Sequence, residues 1–257
     1  MIDLLSYPPP AGCLSVIMPV YNELDTIRGI VDRVLRRPEV GELVIVDDAS
    51  TDGTGDLLPE IASSDARIKL LAQEKNSGKG AALIRGFKAA TRDFVIVQDA
   101  DYEYDPEDYR IVLAPMIAGK ADAVYGSRFM GTPGQVRYFR HETGNKVLTF
   151  LSNLFSDLHL SDMETCYKAF RRPVVQNLKL TSQRFGIEVE ITAKLAKTRC
   201  LRIWEVPIAY LPRRYSEGKK IGWRDGFAAL CHIVKFNVFT GVSSSFERPW
   251  EEVLRQE

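Results

Sequence analysis

Histidine and cysteine are scarce in this chain, three and four among 257 residues. Cys13, Cys166, Cys200 and Cys231 stand far apart, with no metal-ligand spacing and no disulfide pattern, so a reducing, cytoplasmic setting is expected. His141, His159 and His232 show no ligand pattern and are assigned no role. No window reaches 18 consecutive apolar residues, and FAALCHIVKFNVF from Phe227, the nearest approach, is broken by His232, Lys235 and Asn237. An integral membrane protein is therefore not expected. The opening MIDLLSYPPPAG has neither the basic start nor the apolar run of a secretory signal, so none is expected. Internal repeats, low-complexity tracts and clear linkers are also missing, which points to one domain. Net charge is zero, with 34 acidic and 34 basic side chains, and no nucleic-acid partner is expected.

That neutrality hides an uneven distribution. Residues 1–105 carry 18 acidic and 11 basic side chains; the remainder carries 16 and 23. Such asymmetry suits two surfaces, one for a cation and one for an anion.

Apolar, β-rich runs occur at LSVIMPV (14–20), LVIV (43–46), IKLLA (68–72) and FVIV (94–97). Helical patterns alternate with them over residues 24–37, 53–61 and 79–90. This alternation predicts an α/β fold with a mostly parallel sheet and helices on both faces. Asp105-Pro106 should start a helix reaching about position 118, as N-cap and first helical residue. DAVYGS (122–127), YKAF (167–170) and LRIWEVPIAYL (201–211) read as further strands, with a helix over 188–197. Over 142–158, Val147, Leu148, Leu151, Leu154, Phe155 and Leu158 predict one apolar helical face.

Ligands of such sheets bind beyond the carboxyl ends of the strands. Those ends carry Tyr21-Asn22-Glu23, Asp47-Asp48 and Asp99-Ala100-Asp101. With period-two alternation Asp99 and Asp101 point the same way, as a hard divalent cation bound by one or two carboxylates requires. Asp47 or Asp48 can accept a hydrogen bond from a base or ribose, while Ser50, Thr51 and Asp52 cap the next helix. NSGKGAA (76–82) places Lys79 between glycines at a helix start but lacks the Walker pattern; a tight turn into the helix accounts for its glycines, and phosphate cradling is the other reading.

In order and spacing, VIMPVYNE, VDDASTDGT, QDAD, GSRF and SDMETCYKAFRR resemble glycosyltransferase family 2. Within it the chain is similar to the polyprenyl-phosphate glycosyltransferases, the branch that includes dolichol-phosphate mannosyltransferase. The resemblance covers about residues 14–225 and implies the Rossmann-like GT-A fold. A GT-A domain over 1–225 is thus expected, with 226–257 a C-terminal helix and tail that packs or faces a membrane surface or partner. The resemblance implies that Pro19, Tyr21, Glu23 and Asp47 or Asp48 hold the nucleoside, with Lys79 and Asp99 also on the nucleotide. It further implies that Asp99, Asp101 and the position of Glu103, where members often carry Gln, surround Mg2+ or Mn2+. Arg128, Arg140 and the region from Arg214 to Lys219 are implied near donor or acceptor phosphates.

The implied reaction is metal-dependent, inverting transfer of a sugar from a UDP- or GDP-sugar to a polyprenyl phosphate. A phosphate acceptor is largely dianionic at neutral pH and needs placement more than a base. A hydroxyl acceptor, the alternative, needs a carboxylate base, for which Asp162 and Glu164 are the candidates; either could instead orient Lys168. Processive polysaccharide synthesis lacks its Q-x-x-R-W motif here, and nucleotidyl transfer lacks a G-x-G-T-R loop. A non-catalytic nucleotide-sugar-binding module is the distant alternative. A lipid acceptor requires contact with a bilayer, either by residues 227–239 lying at the interface or by docking to a separate membrane protein.

Overall fold

The computed structural model describes residues 7–131, 139–184, 186–213 and 223–254. The first half alternates β1 (Leu14–Val20), α1 (Ile27–Leu35), β2 (Val40–Asp47), α2 (Thr54–Ser64), β3 (Ile68–Ala72), α3 (Lys79–Ala89) and β4 (Phe94–Val97). A 3-10 turn (Pro106–Asp108) then leads into α4 (Tyr109–Ile117), β5 (Ala123–Ser127) and α5 (Phe139–Ser156). β6 (Lys168–Arg171), α6 (Arg172–Gln176), α7 (Ile187–Ala196), β7 (Ile203–Pro207), α8 (Trp223–Val238) and α9 (Trp250–Leu254) complete the described elements. Asp105 caps its turn as expected, its carboxylate accepting from the Glu107 amide at 3.0 Å.

Seven strands form one sheet in the order β3-β2-β1-β4-β6-β5-β7. Only β6 runs antiparallel, to both β4 and β5; the other pairings are parallel. β2 is buried at every position and β1 at all but one, as strands covered on both faces must be. The expectation of a mostly parallel, helix-covered sheet is met. β2 starts three residues earlier than its apolar core, because Val40, Gly41 and Glu42 also lie under the sheet's cover.

α1 begins at Ile27 and not near position 24, for a local reason. The backbone N–H groups of Asn22, Glu23 and Leu24 donate to Ser50, Thr54 and Asp52 side chains at 3.0, 3.0 and 3.3 Å. Asn22 itself sits at φ 56°. The segment is thereby held as a connector between the ends of β1 and β2, and the helix waits until it is clear.

The apolar face expected over 142–158 is divided. Leu148 and Leu151 pack inward on Met163, Val189, Ala229 and Ile233, tying α5 to α7 and α8. Val147, Phe150, Leu154 and Phe155 stay exposed, as do Phe227, Val234, Val238 and Phe239 in and just after α8. α8 starts at Trp223, so it spans position 225, and it packs on α5 and α7. The tail beyond it returns to the body: Phe246 bridges to Leu178 and stacks edge-on against Trp250 at 5.1 Å. No helix among the described residues is long and apolar enough to cross a membrane.

Gly86 shows how tightly α3 lies on the sheet. A Cβ there would stand 2.2 Å from Ile17 Cγ2 and 3.5 Å from Val46 Cγ2. Gly86→Ala should therefore lose about 1–3 kcal/mol of stability, read as a lower urea midpoint with unchanged slope. An unshifted midpoint would mean that α3 can lift without cost.

Candidate active site

The acidic rim is held together by two internal cations. Asp99 accepts an ion pair from Lys79 Nζ at 2.8 Å, and the same ammonium reaches Glu188 at 3.2 Å. Burial pushes the Asp99 carboxyl up, but Lys79 outweighs it, so Asp99 is held below the usual carboxylate range. Asp101 differs: burial first, then the charges of Asp99 and Glu103, push it up to about 7, against the pull of Arg213. Arg213 Nε stands 3.4 Å from Asp101, and its fork grips Glu23 at 2.6 and 3.3 Å.

Lys79 reaches this position because of its flanking glycines. Gly78 adopts φ 97°, and Cβ atoms at Gly78 and Gly80 would meet Gln183 O at 2.5 Å and Ser182 O at 2.1 Å. The start of α3 thus lies directly against residues 182–184, where the Ala81 amide donates to Gln183 O at 3.0 Å. The glycines serve close packing at a helix start, as the tight-turn reading has it.

Asp47 and Asp48 occupy the end of β2, both buried. Asp47 accepts from the Ser50 amide and hydroxyl at 3.1 and 2.6 Å. Asp48 accepts from Gln73 Nε2, the Ser77 amide and the Gly78 amide at 2.5, 2.7 and 2.7 Å. Asp48 therefore links β2 to the loop that delivers Lys79. Pro19 lies within β1, and Tyr21 is partly exposed just beyond it.

Glu103 is occupied by neighbours from the far side of the site. Its carboxylate accepts from the Arg213 amide at 2.8 Å and the Tyr210 hydroxyl at 3.1 Å, while its carbonyl accepts from the Leu211 amide at 2.9 Å. These bonds latch the segment after β7 onto the rim. Among the described residues no group of three or more acidic, histidine or cysteine side chains is arranged to hold a metal ion. Asp99 and Asp101 nevertheless fit the protein's share of a magnesium or manganese shell, in which substrate phosphates and water supply the rest. The raised Asp101 carboxyl is the sign of such a place, where negative charge is concentrated and a cation would relieve it.

Arg128 represents the basic side. Its guanidinium makes a two-pronged bond to Asp162, both contacts 2.7 Å, and its amide donates to the same carboxylate at 3.0 Å. Asn145 adds a fourth donor at 3.3 Å. Burial raises the Asp162 carboxyl, yet Arg128 more than reverses this and holds it low. Glu164 is half-buried, with Oε1 enclosed and unpartnered; burial and then Glu188 push it up to about 7. Lys168 is buried, donates to Thr165 O, and lies 5.0 Å from the Tyr125 ring. Among the described residues neither Asp162 nor Glu164 forms an ion pair with Lys168. Arg214 and Lys219 lie outside the described residues, as does the side chain of Arg140.

Tyr210 joins the two halves. Its hydroxyl is on Glu103, and its ring lies 5.1 Å from Arg128 Cζ. Four site residues escaped the sequence reading: Glu188, Asn145, Tyr210 and the role of Arg213. Arg213 immediately precedes the basic region from Arg214 to Lys219, and nothing in the spacing distinguishes it from those neighbours. Glu188 and Asn145 lie in helices with no acidic or amide motif to single them out.

This fold and rim define a glycosyltransferase of the GT-A kind. The family model for glycosyl transferase family 2 matches residues 15–179, and the chain belongs to that family. It is 30% identical over 224 residues to the undecaprenyl-phosphate mannosyltransferase of Micrococcus luteus, covering 83% of this chain and 90% of the relative. It is 31% identical over 216 residues to the polyprenol monophosphomannose synthase of Mycolicibacterium smegmatis, covering 80% of each. Among solved structures it is similar to glucosyl-3-phosphoglycerate synthase from Mycobacterium tuberculosis, crystallised with Mn2+, UDP and glucosyl-3-phosphoglycerate. The TM-score is 0.67 at 20% identity, over 91% of this chain and 81% of that one.

Asp162→Asn would leave Arg128 buried without its counter-charge and should cost about 3–5 kcal/mol of stability at neutral pH. Asp162 has its folded-state pKa below the unfolded value, so its stabilisation is present above about pH 4 and lost as pH falls through the folded pKa. The gap between wild type and variant, measured by urea unfolding, should therefore narrow in acid. A gap independent of pH would show that the pair contributes by shape alone.

Proposed function

We propose that this enzyme transfers a sugar, with inversion, from a nucleotide-sugar to the phosphate of a polyprenyl phosphate at a membrane surface. The observation that carries the proposal is Tyr210, which sets the acidic rim and the Arg128 guanidinium side by side. A donor diphosphate and an acceptor phosphate are both anions, and a site joining them needs cationic groups on both sides of the reacting carbon. The names of the relatives, a mannosyltransferase on undecaprenyl phosphate and a polyprenol monophosphomannose synthase, support the same acceptor. The manganese and UDP in the similar solved structure support a nucleotide-sugar donor and a divalent ion.

In this reading Tyr21, Pro19 and the β2 end with Asp47 and Asp48 form the nucleoside side, and Asp99 and Asp101 hold Mg2+ or Mn2+. When bound, that ion neutralises charge developing on the leaving nucleoside diphosphate. Lys79 orients Asp99, and Arg213 must yield Asp101 while keeping its hold on Glu23. Glu103 acts by fixing Tyr210 and Arg213, so the segment after β7 closes against the donor. Arg128, aimed by Asp162, receives the acceptor phosphate; a planar fork suits that geometry. A dianionic acceptor attacks without a base. Asp162 is accordingly a positioning group, its carboxylate filled by four donors.

A second reading, transfer to a hydroxyl, is favoured by Glu164 alone. Its pKa of about 7 and its unpartnered oxygen suit a general base. The exposed apolar residues of α5 and α8 favour the lipid. Phe150, Leu154 and Phe227 stand on adjoining helices and Phe239 just beyond the end of α8, each at least 64% exposed. They form the membrane-facing side, which meets a bilayer or a membrane-bound partner.

The test is nucleoside diphosphate release from UDP- and GDP-sugars with Mg2+ or Mn2+, with and without polyprenyl phosphate in detergent. Release should need both lipid and metal and fall at least about 100-fold in Asp101→Ala. Release indifferent to the lipid, or a Glu164→Gln variant that loses transfer only to hydroxyl acceptors, would move the assignment to the second reading.

A further inference from the structure

We infer, resting on the reading that Asp99 and Asp101 hold the divalent ion, that α1 sets the position of both carboxylates. It does so through two positioning residues, Tyr102 and Thr26, which dock the loop after β4 onto the helix.

Within that loop Asp101 is aimed by the Glu103 amide, which donates to its Oδ1 at 3.0 Å. That bond fixes the carboxylate relative to its own loop, and contacts from outside must fix the loop itself. α1 supplies two. The Thr26 hydroxyl, at the helix start, donates to Ala100 O at 2.8 Å, and Ala100 lies between the two carboxylates in sequence. The same hydroxyl stands 3.0 Å from the Glu23 carboxylate, so the helix start, the connector after β1 and the loop meet at one group.

Tyr102 makes the second contact, by laying its ring on the first turn of α1. A Cβ at Gly29 would stand 2.0 Å from the Tyr102 hydroxyl oxygen and 3.1 Å from Cζ. Glycine inside a helix is unfavourable for its backbone entropy, and here it is the residue that leaves room for the ring. Arg33, one turn further on, brings its Cζ to 5.1 Å from the ring centre, within cation–π range. The ring remains 39% exposed, so it adds little to the core; what it does is tie the loop to the helix. Its neighbours bond elsewhere, Asp101 to Arg213 and Glu103 to Tyr210 and the Arg213 amide. An ion that displaces Arg213 from Asp101 leaves both α1 contacts intact, because neither uses a carboxylate of the metal pair. Groups that orient a metal's carboxylates weigh heavily in its affinity.

Gly29→Ala tests this by pushing the Tyr102 ring off the helix, and Gly29→Ala/Tyr102→Phe removes the oxygen that the new methyl would strike. Mn2+ is titrated into the full chain with UDP or GDP present, the free ion being followed by electron paramagnetic resonance. Binding at the site is the part lost in Asp101→Asn. Affinity should fall about tenfold or more in Gly29→Ala and in Tyr102→Ala, and return to within about threefold of wild type in the double variant. Tyr102→Phe alone should bind as wild type, since the hydroxyl makes no hydrogen bond among the described residues. Thr26→Val should weaken binding and Thr26→Ser should not. In nucleoside diphosphate release, the Mn2+ concentration for half-maximal rate should rise in Gly29→Ala by the same factor, with the rate at saturating Mn2+ retained. A contact that serves folding alone would lower the urea midpoint of Gly29→Ala and leave its Mn2+ affinity at the wild-type value, which would overturn the inference. So would a loss of affinity in Gly29→Ala that Tyr102→Phe does not relieve. Wild-type binding no tighter than that of Asp101→Asn would remove the metal reading of the carboxylates itself, and the role of α1 with it.

Discussion

Everything at the rim depends on compensating carboxylates that would otherwise repel one another. Glu23, Asp99, Asp101, Glu103 and Glu188 converge from three different parts of the chain. Lys79 bridges Asp99 and Glu188, and Arg213 bridges Glu23 and Asp101. Both cations arrive through backbone devices, Lys79 by two glycines packed on residues 182–184 and Arg213 by the Glu103 latch. The compensation is incomplete at Asp101, whose carboxyl is pushed up to about 7 by burial and then by the charges of Asp99 and Glu103. An excess of negative charge at one partly open position is what a divalent cation requires, so the electrostatic imbalance and the proposed chemistry have one origin.

The basic side follows a different rule. Arg128 is enclosed with Asp162 and cannot wander, so it presents a fixed fork, whereas an exposed arginine would lose that order to solvent and side-chain entropy. Fixing it costs the protein a buried ion pair, which is stabilising only because Asp162 receives two further donors, the Arg128 amide and Asn145. β6 makes this possible. As the one antiparallel strand, it returns the chain between β4 and β5 and leaves the stretch before it, with Asp162, Glu164 and Thr165, at the same rim as Asp99 and Ser127.

Much of this was legible in the sequence, because strands covered on both faces are continuous apolar runs and their ends are abrupt. LSVIMPV, IKLLA and FVIV coincide with β1, β3 and β4 to the residue. Asp99 and Asp101 stood out for the same reason, as charge immediately after a buried strand. What spacing could not give was partnership. Asp162 and Glu164 look alike in SDMETCYK, yet one is locked to Arg128 and the other has an unpartnered oxygen; the distinction rests on a contact 34 residues away. The late start of α1 was hidden likewise, since the side chains that capture its backbone amides come from the β2 loop.

The divided helix α5 shows where periodicity itself falls short. Leu148 and Leu151 satisfy a core, and Val147, Phe150 and Leu154 satisfy the same 3–4 spacing on an adjacent face that nothing in the described structure covers. Hydrophobic period reports only that a helix has apolar sides, not which of them the rest of the chain will bury. α8 repeats the pattern, with Ala229 and Ile233 inward and Phe227, Val234 and Val238 outward. Two neighbouring helices that each keep a second apolar stripe carry more exposed hydrophobic surface than packing explains. A family 2 enzyme whose acceptor phosphate is attached to a polyprenyl chain needs such a surface beside its anion-binding arginine. The apolar excess of α5 and Asn145, which bonds the Asp162 carboxylate that holds Arg128, share one helix, so the helix that would meet the lipid also helps aim the group that would take its phosphate.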